Sequence, residues 1–169
     1  GNFCFGSCSN LISITISNSV TSIGKACFNE CFSLESIKIP DSVKSIGSDC
    51  FISCTKLTSI VFPANLTKIP KSTFVNCGFI SFTIPNNVES IEKCCFKQCK
   101  KLKSITISDS VKYIGKKCFL ECTNLESITI QNGVKSIDGK CFSYCQKLKS
   151  IVIPDSVVTI EMFCFENCY

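Results

Sequence analysis

Leu34-Glu35-Ser36-Ile37-Lys38-Ile39-Pro40-Asp41-Ser42-Val43-Lys44-Ser45-Ile46-Gly47, followed by Cys50-Phe51 and Cys54, is one period of a pattern that fills the chain. Its Phe returns at Phe5, Phe28, Phe51, Phe74, Phe96, Phe119, Phe142 and Phe165, in steps of 23 residues except for one step of 22. Three residues after each Phe stands a Cys: Cys8, Cys31, Cys54, Cys77, Cys99, Cys122, Cys145 and Cys168. Length alone would suggest one ordinary domain of 169 residues. A fixed period overrides that prior, because it marks a stacked-repeat protein in which each unit covers its apolar side with its neighbours.

The apolar columns define the local structure. Leu11, Leu34, Leu57, Leu102, Leu125 and Leu148 share a column with Phe79, and three residues later come Ile14, Ile37, Ile60, Phe82, Ile105, Ile128 and Ile151. Two further on are Ile16, Ile39, Phe62, Ile84, Ile107, Ile130 and Ile153. This alternation at period 2, rich in β-branched residues, predicts a short strand with its apolar side inward. Pro-Asp-Ser or its equivalent ends the strand, since Pro donates no ladder hydrogen bond and sets a turn. Val and Ile columns three apart, a frequent Gly and the Cys-Phe segment then suggest a tight return, irregular or briefly helical.

The expected fold is a repeat solenoid: a right-handed leucine-rich-repeat coil with one short parallel strand per 23-residue repeat and a convex side of turns and short helical segments. Residues 1–169 read as a single array of about seven coils. The array opens and closes inside a repeat, which suggests a piece of a longer one with any signal or anchor outside it. About six inward side chains per coil, each worth roughly 1.5–3 kcal/mol when buried, require several coils to fold together. The Phe residues should stack as one internal column. The fourth coil, one residue short between Cys77 and Phe79, should be irregular.

Charge narrows the partners. The net charge is +5, yet all 18 basic residues are Lys, so the planar guanidinium fork suited to phosphate is missing and nucleic acid is not the expected partner. No stretch approaches the roughly 20 apolar residues of a membrane helix. Sixteen Cys would ordinarily signal a disulfide scaffold. Here a core of Leu, Ile, Val and Phe already exists, and pairing the two Cys of each unit would orphan Cys77 opposite Thr73, with Cys94 as a conceivable substitute. Buried free thiols are therefore the expectation, while pairing between stacked coils stays geometrically open. Metal is not expected: there is no His, no Cys-x-x-Cys, and the Cys columns do not converge.

The unit quoted at the outset, with Cys50-Phe51 and Cys54, resembles the BspA-like leucine-rich repeats found on surface proteins of mucosal anaerobic bacteria and of parasitic protists. The resemblance covers the whole chain. Family members usually carry Ala before the Phe, whereas this chain has Cys at seven of eight such places and Thr73 at the eighth. The resemblance implies adhesins that bind host proteins or other cells, with some intracellular relatives, and offers no catalytic residues to carry over.

Acid–base or nucleophilic chemistry needs convergent groups, and the chain has no His, 13 scattered carboxylates and no Gly-rich phosphate loop. Ser13, Ser36, Ser59, Ser81, Ser104, Ser127 and Ser150 form one repeat column, which reads as a structural ladder. No enzyme activity and no cofactor are expected. The candidate binding surface is the outward, concave side of the strands: Glu35, Lys38, Thr58, Val61, Lys103, Thr106, Glu126, Thr129, Lys149 and Val152, which vary while the core columns do not. Lys93, Lys97, Lys100, Lys101, Lys103, Lys112, Lys116 and Lys117 concentrate charge in the fifth and sixth coils, serving either solubility or acidic glycans and headgroups. Asn65-Leu66-Thr67 is the one glycosylation triplet. The reading is a non-enzymatic module for cell-surface adhesion or binding of a host or matrix protein. The alternative is an intracellular, cytoplasmic scaffold or regulatory protein-interaction solenoid.

Overall fold

The computed structural model describes residues 1–169. Its strands, in chain order, are β1 (Ser22–Ile23), β2 (Ser36–Lys38), β3 (Ser45–Ile46), β4 (Ser59–Val61), β5 (Lys68–Ile69), β6 (Ser81–Thr83), β7 (Ser90–Ile91), β8 (Ser104–Ile107), β9 (Tyr113–Ile114), β10 (Ser127–Ile130), β11 (Ser136–Ile137) and β12 (Thr159–Ile160). All pairings are parallel and join equivalent residues of successive coils, as in Ser36↔Ser59 and Ser81↔Ser104, so the chain is a parallel β solenoid. β2, β4, β6, β8 and β10 are the expected Leu-x-x-Ile-x-Ile strands, and Thr15 extends them by a bridge to Lys38. The remaining strands form a second ladder past the turn, so most coils hold two strands instead of the one expected. Six coils pair on the first face where seven were expected, because residues 148–153 form no strand.

Alternation places the side chains. In β2, Ile37 is buried between exposed Ser36 and Lys38, and in β10 Ile128 and Ile130 are buried between exposed Ser127 and Thr129. Ser42, Ser110 and Ser156 of the turn donate to the carbonyls of Val20, Val88 and Val134 in the preceding coil at 2.7–2.9 Å. The turn serine is thus a rung between coils.

The expected helical segments are absent, and the backbone of the Cys-Phe corner explains why. Two residues before and two after each Phe, φ is positive: Ala26 and Glu30 flank Phe28, Lys117 and Glu121 flank Phe119, and the other six coils repeat this. A right-handed helix cannot pass through such residues. Each left-handed non-Gly residue costs on the order of 1–2 kcal/mol. The offset is local, since these same residues donate their N–H to the following coil, Ala26 to Ser48 at 2.9 Å and Glu30 to Ile52 at 2.7 Å, with Phe28 donating to Cys50 between them.

The core follows the columns. Phe28, Phe51, Phe74, Phe96, Phe119 and Phe142 are buried and stack at centroid spacings of 5.3–5.8 Å, with Phe5 and Phe165 continuing the column at the less covered ends. Rings are within 10° of parallel except around Phe74, where the angles rise to 17° and 33°. There Phe62, Phe79 and Phe82 crowd in with edge-on or tilted contacts.

That disorder in ring geometry marks the shortened fourth coil, which is irregular as expected. With one residue missing after Cys77, β6 does not pair with β4, and the first ladder divides there. Gly78 passes so close to the third coil that a Cβ would lie 2.4 Å from the Thr55 carbonyl oxygen. The second ladder breaks one coil earlier. Where its strands pair, the residue after the Ile donates to the preceding Ile carbonyl: Gly47 to Ile23, Glu92 to Ile69, Gly115 to Ile91, Asp138 to Ile114 and Glu161 to Ile137, at 2.8–3.0 Å. Pro70 holds that place in the third coil and has no N–H, so β3 and β5 stay unpaired.

Candidate binding face

The first ladder carries the candidate residues on its outer side. Glu35, Lys38, Thr58, Val61, Lys103, Glu126, Thr129, Lys149 and Val152 are exposed, and Thr106 is half-buried. Register joins them in two groups. Lys38 pairs with Val61, and Thr58 N–H donates to the Glu35 carbonyl at 3.0 Å. Thr106 pairs with Thr129, and Glu126 N–H donates to the Lys103 carbonyl at 2.8 Å. The break between β4 and β6 separates these groups, and Lys149 and Val152 lie beyond β10 on a segment without a strand. A strand in each of about seven coils was expected, with the fourth irregular; missing backbone pairings at the fourth and seventh coils divide the face.

Two residues join the face from the fourth coil. Ile80 is 56% exposed between Thr58 and Lys103, and Phe82 is half-buried beside a shallow cleft with Thr58, Ser81 and Thr83. Ile80 was readable from its repeat position, which is that of Glu35 and Lys103. The exposure of Phe82 was not, because it depends on the broken ladder.

The lysine-rich stretch of the fifth and sixth coils does not form one patch. Lys100, Lys101 and Lys103 lie at the start of β8, Lys112 precedes β9 on the second ladder, and Lys93, Lys97, Lys116 and Lys117 belong to the Cys-Phe corner. Lys101 Nζ donates to the Thr55 carbonyl two coils away at 3.2 Å, spanning the shortened coil. Ion pairs tie Lys25 to Asp49 and Lys140 to Glu166 elsewhere. Asn65 is exposed, and its amide nitrogen, the atom that would carry a glycan, donates to the Asp41 carbonyl at 2.9 Å.

All 16 cysteines are free thiols, and 12 are buried. Those three residues after each Phe have a defined task. Cys31, Cys54, Cys77, Cys99, Cys122, Cys145 and Cys168 each donate S–H to the carbonyl of the preceding coil's Phe at 3.0–3.3 Å. Burial pushes the thiols of Cys54, Cys99 and Cys145 up to about 12 and holds them protonated. Thr73, standing where other coils have Cys, is fully buried and donates to the Pro70 carbonyl at 2.6 Å. No three Cys, Asp or Glu side chains converge as a metal site, and no helix is long and apolar enough to cross a membrane.

A parallel solenoid with 23-residue coils and an inward Leu-x-x-Ile-x-Ile strand is the architecture of a leucine-rich-repeat protein, a class of protein-interaction modules. The family profile described as "BspA type Leucine rich repeat region (6 copies)" matches residues 1–99 and 67–169, and the chain belongs to this family. The leucine-rich-repeat protein TpLRR of T. pallidum superposes with a TM-score of 0.86 at 28% identity, over 94% of this chain and 77% of its own. A leucine-rich-repeat protein of Bacteroides ovatus gives 0.62 at 25% identity, over 99% of this chain and 55% of its own. A leucine-rich cell surface protein of Faecalibacterium prausnitzii shares the fold at 0.52 and 24% identity, over 99% and 60%. No curated protein matches the chain.

Proposed function

We propose that this chain is a non-enzymatic module that binds a host or matrix protein through its first-ladder face, in an adhesive role at a cell surface or in secreted form. The carrying observation is that exposed positions on that face change from coil to coil, Glu35, Thr58, Ile80, Lys103, Glu126 and Lys149 in one column, while the buried columns beside them stay Leu or Ile with few exceptions. A fold that fixes one set and frees the other suits recognition of a partner. The extracellular setting draws on the F. prausnitzii relative, which is named a cell surface protein. The test is adhesion of the unmodified chain, and of a Lys103→Glu/Lys149→Glu variant with unchanged circular dichroism, to matrix and host-cell proteins. Loss in the variant supports the face, and equal adhesion rejects it.

A second reading, an intracellular scaffold, is favoured by the seven thiols that donate to Phe carbonyls, since each must stay reduced. It moves ahead if the unmodified chain binds nothing extracellular.

A further inference from the structure

The chain's surplus of positive charge has one address. On the first-ladder side, from four to ten residues after each Phe from Phe5 to Phe142, one fewer in the shortened coil (residues 9–15, 32–38, 55–61, 78–83, 100–106, 123–129 and 146–152), stand seven of the 18 lysines and only two acidic residues, Glu35 and Glu126. The surplus there is five, equal to the net charge of the whole chain, and the other eleven lysines are matched by eleven carboxylates. Within this surface the lysines crowd one edge, where the chain enters the strands: Lys56 in the third coil, Lys100, Lys101 and Lys103 in the fifth, and Lys147 and Lys149 in the seventh. All six are exposed.

The spacing is as informative as the charge. Cationic coils alternate with coils that carry no Lys at these positions, so ammonium groups recur along the solenoid axis every two coils, about 10 Å at ordinary strand spacing. Between them the edge offers Thr55, Gly78, Thr123, Asn124 and Gln146, together with the exposed apolar Ile80 and one carboxylate, Glu126, which shares a shallow pocket with Lys147 and Lys149. Lys101 leans across the shortened coil to the Thr55 carbonyl at 3.2 Å, which carries positive charge past Gly78. Between the third and seventh coils this edge exposes no aromatic side chain and has no Arg, the residues that usually anchor a protein partner. A row of point charges separated by hydrogen-bonding groups fits a linear ligand whose anionic groups repeat once per two-sugar unit and whose hydroxyls fill the intervals.

We propose that this lysine edge binds a linear sulfated polysaccharide laid along the solenoid axis, across the strands. Sulfate groups pair with Lys56, Lys100, Lys103, Lys147 and Lys149, and sugar hydroxyls meet Thr55, Thr123, Asn124 and Gln146. The site shares Lys103 and Lys149 with the protein-binding reading above and extends past it to Lys56, Lys100 and Lys147, which are not among the residues assigned there.

Heparin is the probe, with polyglutamate as a polyanion that lacks sugar hydroxyls and sulfate. Two triple variants carry the same net charge: Lys56→Glu/Lys100→Glu/Lys147→Glu on the edge, and Lys44→Glu/Lys68→Glu/Lys135→Glu beside or on the second ladder, where all three side chains are exposed. Circular dichroism and melting confirm that both fold, and single Lys→Gln changes replace any triple that does not. The expected result is salt-sensitive heparin binding that falls about tenfold or more in the edge variant, holds in the second-ladder variant, and exceeds binding of polyglutamate. Equal loss in the two variants, equal binding of polyglutamate, or no heparin binding at low ionic strength overturns the proposal. The edge triple leaves Lys103 and Lys149 intact, so loss of heparin binding with matrix-protein adhesion retained is scored apart from the Lys103→Glu/Lys149→Glu test of the protein-binding reading.

Discussion

Phe96 and Ser104 share a coil and have opposite duties. Phe96 is fully buried, stacked on Phe119 at 5.4 Å and edge-on to Phe82, whereas the Ser104 hydroxyl faces outward and makes no hydrogen bond to another residue. Phe96→Ala should therefore cost about 3–5 kcal/mol in chemical denaturation as an unfilled cavity, and Ser104→Ala should cost close to nothing. Equal costs would refute the register. The cysteines make a second test at this scale. Alkylation without reductant should label mainly Cys4, Cys8 and the half-exposed Cys94 and Cys168 in native protein, and the other twelve only after unfolding. A mass showing eight bridges would contradict the S–H donors. Burial of the thiols was legible in the repeat, because a Cys in a column beside the core packs as a small apolar residue. The bond from each Cys to a Phe carbonyl 25 or 26 residues earlier was not legible, since it depends on how far one coil is offset from the next.

Among the elements, the strands of the first ladder were written plainly in Leu-x-x-Ile-x-Ile, and the shortened fourth coil announced its own irregularity. The second ladder escaped notice because each of its strands is two residues long, too short for alternation to show. The supposed helical return failed for a related reason: most of its left-handed residues, such as Ala26 and Lys117, are neither Gly nor Asn, and their cross-coil hydrogen bonds hold them there. The division of the binding face followed from the same backbone pairings, which no single repeat reveals. Pro70 is the one position where an element can be repaired. Pro70→Glu supplies the missing N–H and installs the residue that Glu92 and Glu161 place there in other coils. Hydrogen exchange should then show residue 70 protected and β3 and β5 slower to exchange than in the parent. Exchange at the rate of an exposed amide would mean that something other than the proline keeps these strands apart.

At the scale of the whole molecule, stability in a solenoid is a sum of coils and interfaces, so a property repeated in every coil acts on the entire fold. The buried thiols are such a property. Their ordinary value is 9.0; burial raises Cys31 and Cys164 to about 11 and Cys54, Cys99 and Cys145 to about 12. A group that holds its proton more tightly when folded contributes stability that is complete below its unfolded value and is lost as pH rises toward the folded one. The window is therefore from about pH 9 to pH 12, and the sign is destabilising with alkali. The chemistry agrees, since a thiolate opposite a Phe carbonyl keeps no proton to donate. We expect the melting temperature to be nearly level between pH 6 and 8 and to fall steeply above about pH 9, with thiolate absorbance appearing together with the loss of strand signal. The contribution of the thiols is isolated by a variant with Cys54, Cys99 and Cys145 replaced by Ala. Although weakened at neutral pH by lost packing, that variant should lose less melting temperature between pH 8 and 11 than the parent. Identical alkaline losses would show that the thiols do not set the pH limit of the fold.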